Sequence, residues 1–506
     1  MTDRGSGRRG RRTEGPAQGP AVNAVYIRRR LGGTPTASAM LLLGAAAIGA
    51  TVLRVLFLGR SFSMDEVHSI RLAQQDWSAF VATVFTDQAN MALYYWLLRI
   101  WRMIGENEAT IRLLSVLSAI AVIPVIYAIG THLFGRQAGL LGAVLTAVNA
   151  YHVQYAQYAR SYSLVVFLVA LSTWFFVRGI EERSATHWVG YVFASVLAVY
   201  SHFFALFVLA AHAVSLLFLP RREIPWTPLL RSVMIIGCAF LPLAAFVVTR
   251  DRGQIAWVPP PHPTNVIGVF YVLAGGTGRL AEAGTIGKAL FLEYFALCVI
   301  AVAAAAKGWA RSRTSFELWR YGLPVVWLFV PIMLAYAISQ FKPIFVAYYL
   351  IVSLPALMLL GASGLAVLPR NLTSIMLAVL VAFAMHEVFA YYAAGQTEDL
   401  RGASYRTLET ALPGDALLFY APYADNAFAY YRGRFPGPAP TLTVLPRGSK
   451  VPADTRRVWL FLSEDEPYRT EIRSLQASLV RRYSSIMTWK FAGVQLLLYS
   501  NDHVDR

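Results

Sequence analysis

The chain has 506 residues, 57% of them hydrophobic and only 14% charged. That balance is too apolar for a soluble globular protein and points to a mainly helical, polytopic membrane protein. The formal net charge of +17 would suit a nucleic-acid partner, but eight arginines and no lysine fall in residues 1–30, just before the first apolar run, so positive-inside anchoring to anionic membrane lipids explains it better and no nucleic acid is expected.

Residues 1–35, rich in Gly, Pro and Arg, cannot bury a core and read as a disordered cytoplasmic tail. The apolar run that follows is too long for a signal peptide and lacks a small-residue cleavage site. At about 20 apolar residues per crossing, candidate spans fall at 38–58, 109–133, 138–156, 162–180, 187–206, 204–220 (merging with its predecessor), 229–249, 287–306, 319–338, 346–367 and 371–393, about eleven in all. With the N-terminus in the cytoplasm, every loop on that side is basic, including Arg136, Arg178 to Arg183, Arg221 with Arg222, Lys307 to Arg313, and Arg370. This works only if residues 91–104 do not cross. That stretch and residues 66–84 read as amphipathic helices lying in the outer interface. Residues 36–394 then form a transmembrane catalytic domain. Residues 395–506 form a small extracytoplasmic α/β domain, with strands at Asp415 to Tyr420, Arg457 to Ser463 and Val494 to Tyr499 and helices at Ala424 to Tyr431 and Pro467 to Tyr483. Cys238 and Cys298 lie inside apolar runs and suggest neither a disulfide nor a metal site.

The polar residues that stand out at membrane depth all fall on the outer side. Asp65 and Glu66 follow the first apolar run. They could serve as a base facing a polar cavity, or simply as acidic residues in the first turn of a helix. His152, Gln157, Arg160 and Tyr162 sit between two spans, where the arginine could bind a phosphate or snorkel within a tyrosine belt. His202 ends another span and could equally be structural. Trp257 follows Gln254 and precedes Pro259-Pro260-Pro261, where it could stack on a sugar or sit in the aromatic belt. Lys342, Tyr348 and Tyr349 close the set, Lys342 being a second candidate phosphate partner. A carboxylate pair, two cations, tyrosines and a tryptophan on one face suit sugar transfer from a lipid phosphate: the carboxylate deprotonates the acceptor hydroxyl, and the cations stabilise the departing phosphate. No nucleotide-binding glycine loop or metal-ligand spacing appears. A phosphate leaves readily, so no cofactor is required, although a divalent cation is compatible.

Several stretches resemble the bacterial GT-C membrane glycosyltransferases, especially the glycosyltransferase family 39 type, which includes protein O-mannosyltransferases and lipid A aminoarabinose transferases. They are Ser63 to Glu66, Asn90 to Tyr95, Phe134-Gly135-Arg136 before Ala138-Gly139, Tyr155 to Leu164, Tyr200 to Phe204, Gln254 to Pro261, and Lys342 to Leu350. The resemblance implies an inverting transfer from a polyprenyl-phosphate sugar to a cell-envelope acceptor (glycan, lipid or protein) on the outer face of the plasma (inner) membrane. It implies Asp65 as the base with Glu66 beside it. Arg160, Lys342, Tyr162, Gln157, Tyr348 and Tyr349 are expected around the donor, and Asn90, Tyr94, Tyr95, His152, His202 and Trp257 around the substrate. The chain departs from the family in having Asn90-Met91-Ala92 where relatives carry His-Pro-Pro, Tyr158 where relatives carry Glu, and Tyr348 where relatives often carry Arg. A transporter or flippase of lipid-linked sugar, or a scaffold whose C-terminal domain binds glycan, would use the same polar residues differently. The first would more often show inverted repeats and broken helices, and the second would leave Asp65, Arg160 and Lys342 without a shared task.

Overall fold

The computed structural model describes residues 37–86, 88–249, 258–278, 280–312, 314–395, 398–420, 424–463 and 469–501. The expected N-terminal tail, Gln254 and Trp257 lie outside these residues.

Every apolar run of the sequence is helical. The runs form α1 (Ala37–Val55), α5 (Glu108–Phe134), α6 (Arg136–Val148) with α7 (Ala150–Ala156), α8 (Tyr162–Glu182), α9 (Ala185–Ser201), α10 (Ala205–Ser215) and α11 (Trp226–Thr249). After a short helix α12 (Pro263–Leu273) come α13 (Thr285–Ser312), α14 (Ser315–Ser339), α15 (Leu354–Ala366) and α16 (Arg370–Ala394). Seven helices among the described residues are long and apolar enough to cross a membrane: α5, α8, α11, α13, α14, α16 and the segment Ala347–Ala366 that contains α15. The last is the central element, with 89% of its apolar window buried, against 28% for α11, α13 and α16. Met234, Phe295 and Phe389 on these peripheral helices are exposed, as suits faces left to lipid rather than water.

Local chemistry sets the breaks. Asn149 divides the run 138–156, its side-chain oxygen accepting the His152 N–H at 2.9 Å as the cap of α7. At His202 the backbone turns extended (φ −166, ψ 133), which separates α9 from α10 where the sequence shows one merged stretch. Between α5 and α6 the chain reverses at Gly135, whose φ of +100 suits glycine. The two helices then cross so closely that a Cβ on Gly139 would sit 2.6 Å from the Tyr127 carbonyl oxygen.

At one end of the bundle, short helices α2 (Met64–Gln74), α3 (Trp77–Thr86) and α4 (Ala92–Trp101) connect α1 to α5. The stretch 66–84, which reads as one amphipathic helix, is two. Asp76 separates them, accepting the Ala79 N–H at 3.0 Å to start α3. Ten residues of α4 extend only about 15 Å, half of a bilayer core.

The C-terminal domain adds α17 (Leu400–Thr410), β1 (Ala416–Phe419), α18 (Ala424–Arg432), β2 (Thr443–Leu445), β3 (Arg457–Ser463), α19 (Arg469–Arg482), β4 (Ser485–Phe491) and β5 (Val494–Ser500). The sheet order is β2-β1-β3-β5-β4. β1 pairs parallel with β2 and β3, and β5 pairs antiparallel with β3 and β4. One sheet face, with Leu417, Phe419, Trp459 and Phe461, joins the main core through α17 and α18, while the other packs Leu418, Val458 and Leu460 against Ile472 and Leu479 of α19. The sequence reading contains β1, α18, β3, α19 and β5 but lacks α17, β2 and β4.

Candidate active site

The site is built where α2 begins. Two buried cations hold this end of the bundle. Arg54, fully buried near the end of α1, donates to the carbonyls of Ala147 (2.9 Å) and Thr146 (3.1 Å) at the end of α6, and lies 2.9 Å from His152 Nδ1. A cation at a helix C-terminus faces the negative end of the helix dipole. Gln157 is equally committed: its amide donates to the Leu53, Arg54 and Leu56 carbonyls and its oxygen accepts from the Tyr391 hydroxyl at 3.0 Å. His152 and Gln157, expected around substrate and donor, thus also tie α1 to its neighbours.

Arg112 of α5 is the second cation. Its Nε and Nη2 donate to Glu66 Oε1 and Oε2 at 2.8 and 2.7 Å, and its remaining bonds go to the Leu58, Arg60 and Ser61 carbonyls. Glu66 also accepts the Ala159 N–H at 2.8 Å and the Ser63 N–H at 3.0 Å, and is 1% exposed. The sequence reading sets Glu66 beside Asp65 as a catalytic group. In the structure its oxygens are engaged by a bidentate ion pair and two backbone amides.

Adjacent residues on a helix point about 100° apart, and Asp65 accordingly faces outward. Its side chain is exposed, with the Tyr158 hydroxyl 3.5 Å from Oδ2. Arg160 passes just behind it, with Nη1 3.3 Å from Ser69 Oγ and 3.5 Å from the Asp65 carbonyl. Its buried Nε has no partner among the described residues. Tyr162 centres an aromatic basket, its ring 5.3 Å from Tyr348, 5.1 Å from Tyr155 and 6.5 Å from Tyr349. His202 closes the basket 4.8 Å from Tyr349. Its Nδ1 lies 3.2 Å from the Phe204 amide, and its Nε2 is buried without a partner among the described residues. Tyr94 and Tyr95 form the floor, Tyr94 bonded to Ser115 at 2.9 Å and Ser115 to the Arg160 carbonyl at 3.2 Å. Asn90 lies in the turn Ala89–Met91 before α4. His68, one turn after Asp65, is held below the usual histidine value by burial and then by Arg160, with Asp65 opposing.

The structure thus brings together Asp65, Arg160, Tyr95, Tyr162, Tyr348, Tyr349 and His202. Lys342 sits half-buried on the loop that leads into Tyr348 and Tyr349. Sequence reasoning missed Arg112 as part of the site. A lone arginine in the first turn of an otherwise apolar run was the available signal for Arg112, since a charge at membrane depth calls for a partner.

A family model described as dolichyl-phosphate-mannose-protein mannosyltransferase matches residues 90–249. That range takes in Arg112, Arg160, Tyr162 and His202 but not Asp65 or Lys342. In structure the chain is similar to ArnT from Cupriavidus metallidurans in the apo state, with a TM-score of 0.56 and 12% identity over 92% of this chain and 98% of that one. The chain thus shares the fold of ArnT. ArnT bound to undecaprenyl phosphate matches with a TM-score of 0.53 and 13% identity over the same shares of the two chains. The apo form of an oligosaccharyltransferase from Archaeoglobus fulgidus follows at 0.49 and 13% identity, covering 92% of this chain and 75% of that one. No curated protein matches by sequence. At 12–13% identity the likeness to ArnT shows the fold alone.

Proposed function

We propose that this protein is a GT-C-type inverting glycosyltransferase that moves a sugar from a polyprenyl-phosphate donor to a cell-envelope hydroxyl. The reaction takes place on the extracytoplasmic face, with the N-terminus in the cytoplasm. The observation that carries this reading is that one exposed carboxylate, Asp65, and one buried guanidinium, Arg160, which reaches the Asp65 backbone carbonyl at 3.5 Å, lie beside a tyrosine basket. Asp65 takes the proton of the acceptor hydroxyl as its oxygen bonds to the anomeric carbon from the face opposite the phosphate. The bond from that carbon to the phosphate oxygen breaks, and its electron pair leaves with the polyprenyl phosphate. Arg160 and Lys342 neutralise the charge that develops there, and the tyrosine hydroxyls and His202 supply further donors. Positioned base catalysis contributes about 10²–10⁴-fold, and preorganised cations a comparable share. No step is routed through a metal. The match to a mannosyltransferase family model and the likeness to ArnT, solved with undecaprenyl phosphate, support the donor class.

The test is to incubate purified protein with a panel of polyprenyl-phosphate sugars, mannose first, and cell-envelope extract. Released polyprenyl phosphate and labelled acceptor are then measured. Turnover of one donor, lost in Asp65→Asn, is expected. Failure of every donor, or full turnover by Asp65→Asn, would sink the proposal.

A further inference from the structure

We infer that the C-terminal domain is part of the catalytic apparatus: Glu398 and Tyr431 are positioning residues that fix the turn carrying Asp65. This deepens the reading above and rests on Asp65 as base.

The three backbone amides just before Asp65 are held, and the C-terminal domain holds two of them. The Met64 N–H, at the first position of α2, donates to the Glu398 carboxylate at 2.8 Å. The first amides of a helix have no partner inside it, and a carboxylate there also meets the positive end of the dipole. Glu398 therefore caps α2 from a segment 334 residues away in sequence. The Phe62 N–H donates to the Tyr431 hydroxyl at 2.8 Å, and that hydroxyl lies 3.3 Å from Glu108 Oε1. The Ser61 hydroxyl accepts the Arg401 N–H at 3.0 Å, while the Arg401 side chain pairs with Glu108 at 2.9 Å. The Ser63 N–H is the exception, going to Glu66 of the membrane domain.

Side-chain packing runs the same way. Phe62 is fully buried edge-on against Tyr430 at 5.8 Å, with the Arg112 guanidinium 5.0 Å from its other side. Tyr430 donates to the Glu106 carbonyl at 2.8 Å, just before α5. The turn is thus gripped between Arg112 and Glu66 of the membrane domain on one side and α18 with Glu398 on the other. Among the described residues the Asp65 side chain has one hydrogen-bond partner, Tyr158, so its direction depends on the backbone beneath it. A displacement of about 1 Å at a reacting group costs on the order of 10²-fold in rate. A domain that merely covered the membrane bundle would not need to cap this one helix with a carboxylate.

The experiment compares Glu398→Ala, Glu398→Gln and Tyr431→Phe in the full-length protein, using the donor turned over in the panel. Each rate is normalised to folded protein in detergent. Glu398→Ala is expected to lower kcat about 10-fold while leaving donor KM within about twofold, the signature of misplacement rather than weakened binding. Glu398→Gln keeps an acceptor oxygen for the Met64 N–H and should recover most of the loss. Tyr431→Phe keeps the ring, and with it the fold, and should lower kcat several-fold. Combined with Asp65→Asn, Glu398→Ala should add nothing further, because residues acting through one group are not additive. Wild-type kcat in both Glu398→Ala and Tyr431→Phe, with Asp65→Asn inactive, would overturn the positioning role and leave the base in place. So would a further 10-fold loss in the double variant. Full activity of Asp65→Asn would instead remove the base, and this inference with it.

Discussion

Asp65→Asn and Glu66→Gln are both nearly isosteric, adjacent in sequence, and should have opposite phenotypes. Glu66 accepts from Arg112 twice, from the Ala159 amide and from the Ser63 amide, all within 3.0 Å. A glutamine there keeps one acceptor oxygen and turns an NH₂ toward groups that are themselves donors. It also leaves the Arg112 guanidinium, at 6% side-chain exposure, without its counter-charge. Removing one partner of a buried pair costs about 3–5 kcal/mol, a large share of the total stability of a typical domain. Among the described residues the Asp65 carboxylate makes a single long hydrogen bond, 3.5 Å from the Tyr158 hydroxyl, so its loss should change stability by less than about 0.5 kcal/mol. If it is the base, turnover falls about 100-fold or more, equivalent to about 2.7 kcal/mol of barrier. Thermal unfolding in detergent and turnover per folded molecule separate the two effects. Asp65→Asn should unfold like the parent and turn over poorly. Glu66→Gln should unfold early, with the surviving folded fraction still active. A Glu66→Gln protein of parental stability that fails to turn over would refute the assignment of Glu66 to structure.

Arg160→Ala should weaken donor binding or slow transfer by about 1.5–3 kcal/mol if the guanidinium makes a charge-assisted bond to the phosphate. Unchanged kinetics with the lipid donor would return Arg160 to a structural role. Ser449→Cys, made with Cys238 and Cys298 replaced, should react with an impermeant thiol reagent in intact cells; protection there would reverse the proposed orientation. Gly139→Ala should lower the unfolding temperature in detergent, because the new methyl meets the Thr131 side chain and the Tyr127 carbonyl at 2.6 Å. An unchanged temperature would show that the crossing of α5 and α6 can open.

Hydrophobic run length made the helices legible, since a 20-residue apolar stretch admits few other structures. Breaks inside a run were harder to place: Asn149 and His202 act through a side-chain cap and a change of backbone direction, neither of which alters hydropathy. In the C-terminal domain, β2 is three residues with an exposed pattern and α17 is mostly polar, so neither leaves a periodic signal. β4 does alternate between half-buried and exposed residues, a pattern that reading for fully apolar runs passes over. Asp65, Arg160 and the tyrosines were visible as polar residues in apolar surroundings. Which polar side chains are tied up in bonds was not visible, because that depends on partners far away in sequence. Arg112 and Glu66 are 46 residues apart, and Tyr391 and Gln157 are 234 apart.

The acceptors of Arg54 carry a consequence for biogenesis. The carbonyls of Thr146 and Ala147 and the ring of His152 emerge from the ribosome more than 90 residues after the arginine itself. Until then the guanidinium has no interior partner beyond the Ala50 carbonyl of its own helix, and must reach toward the headgroups. Helix α1 can therefore reach its final depth and rotation only after α6 and α7 are in place. Truncated chains ending before Thr146 should leave α1 loosely seated and open to protease.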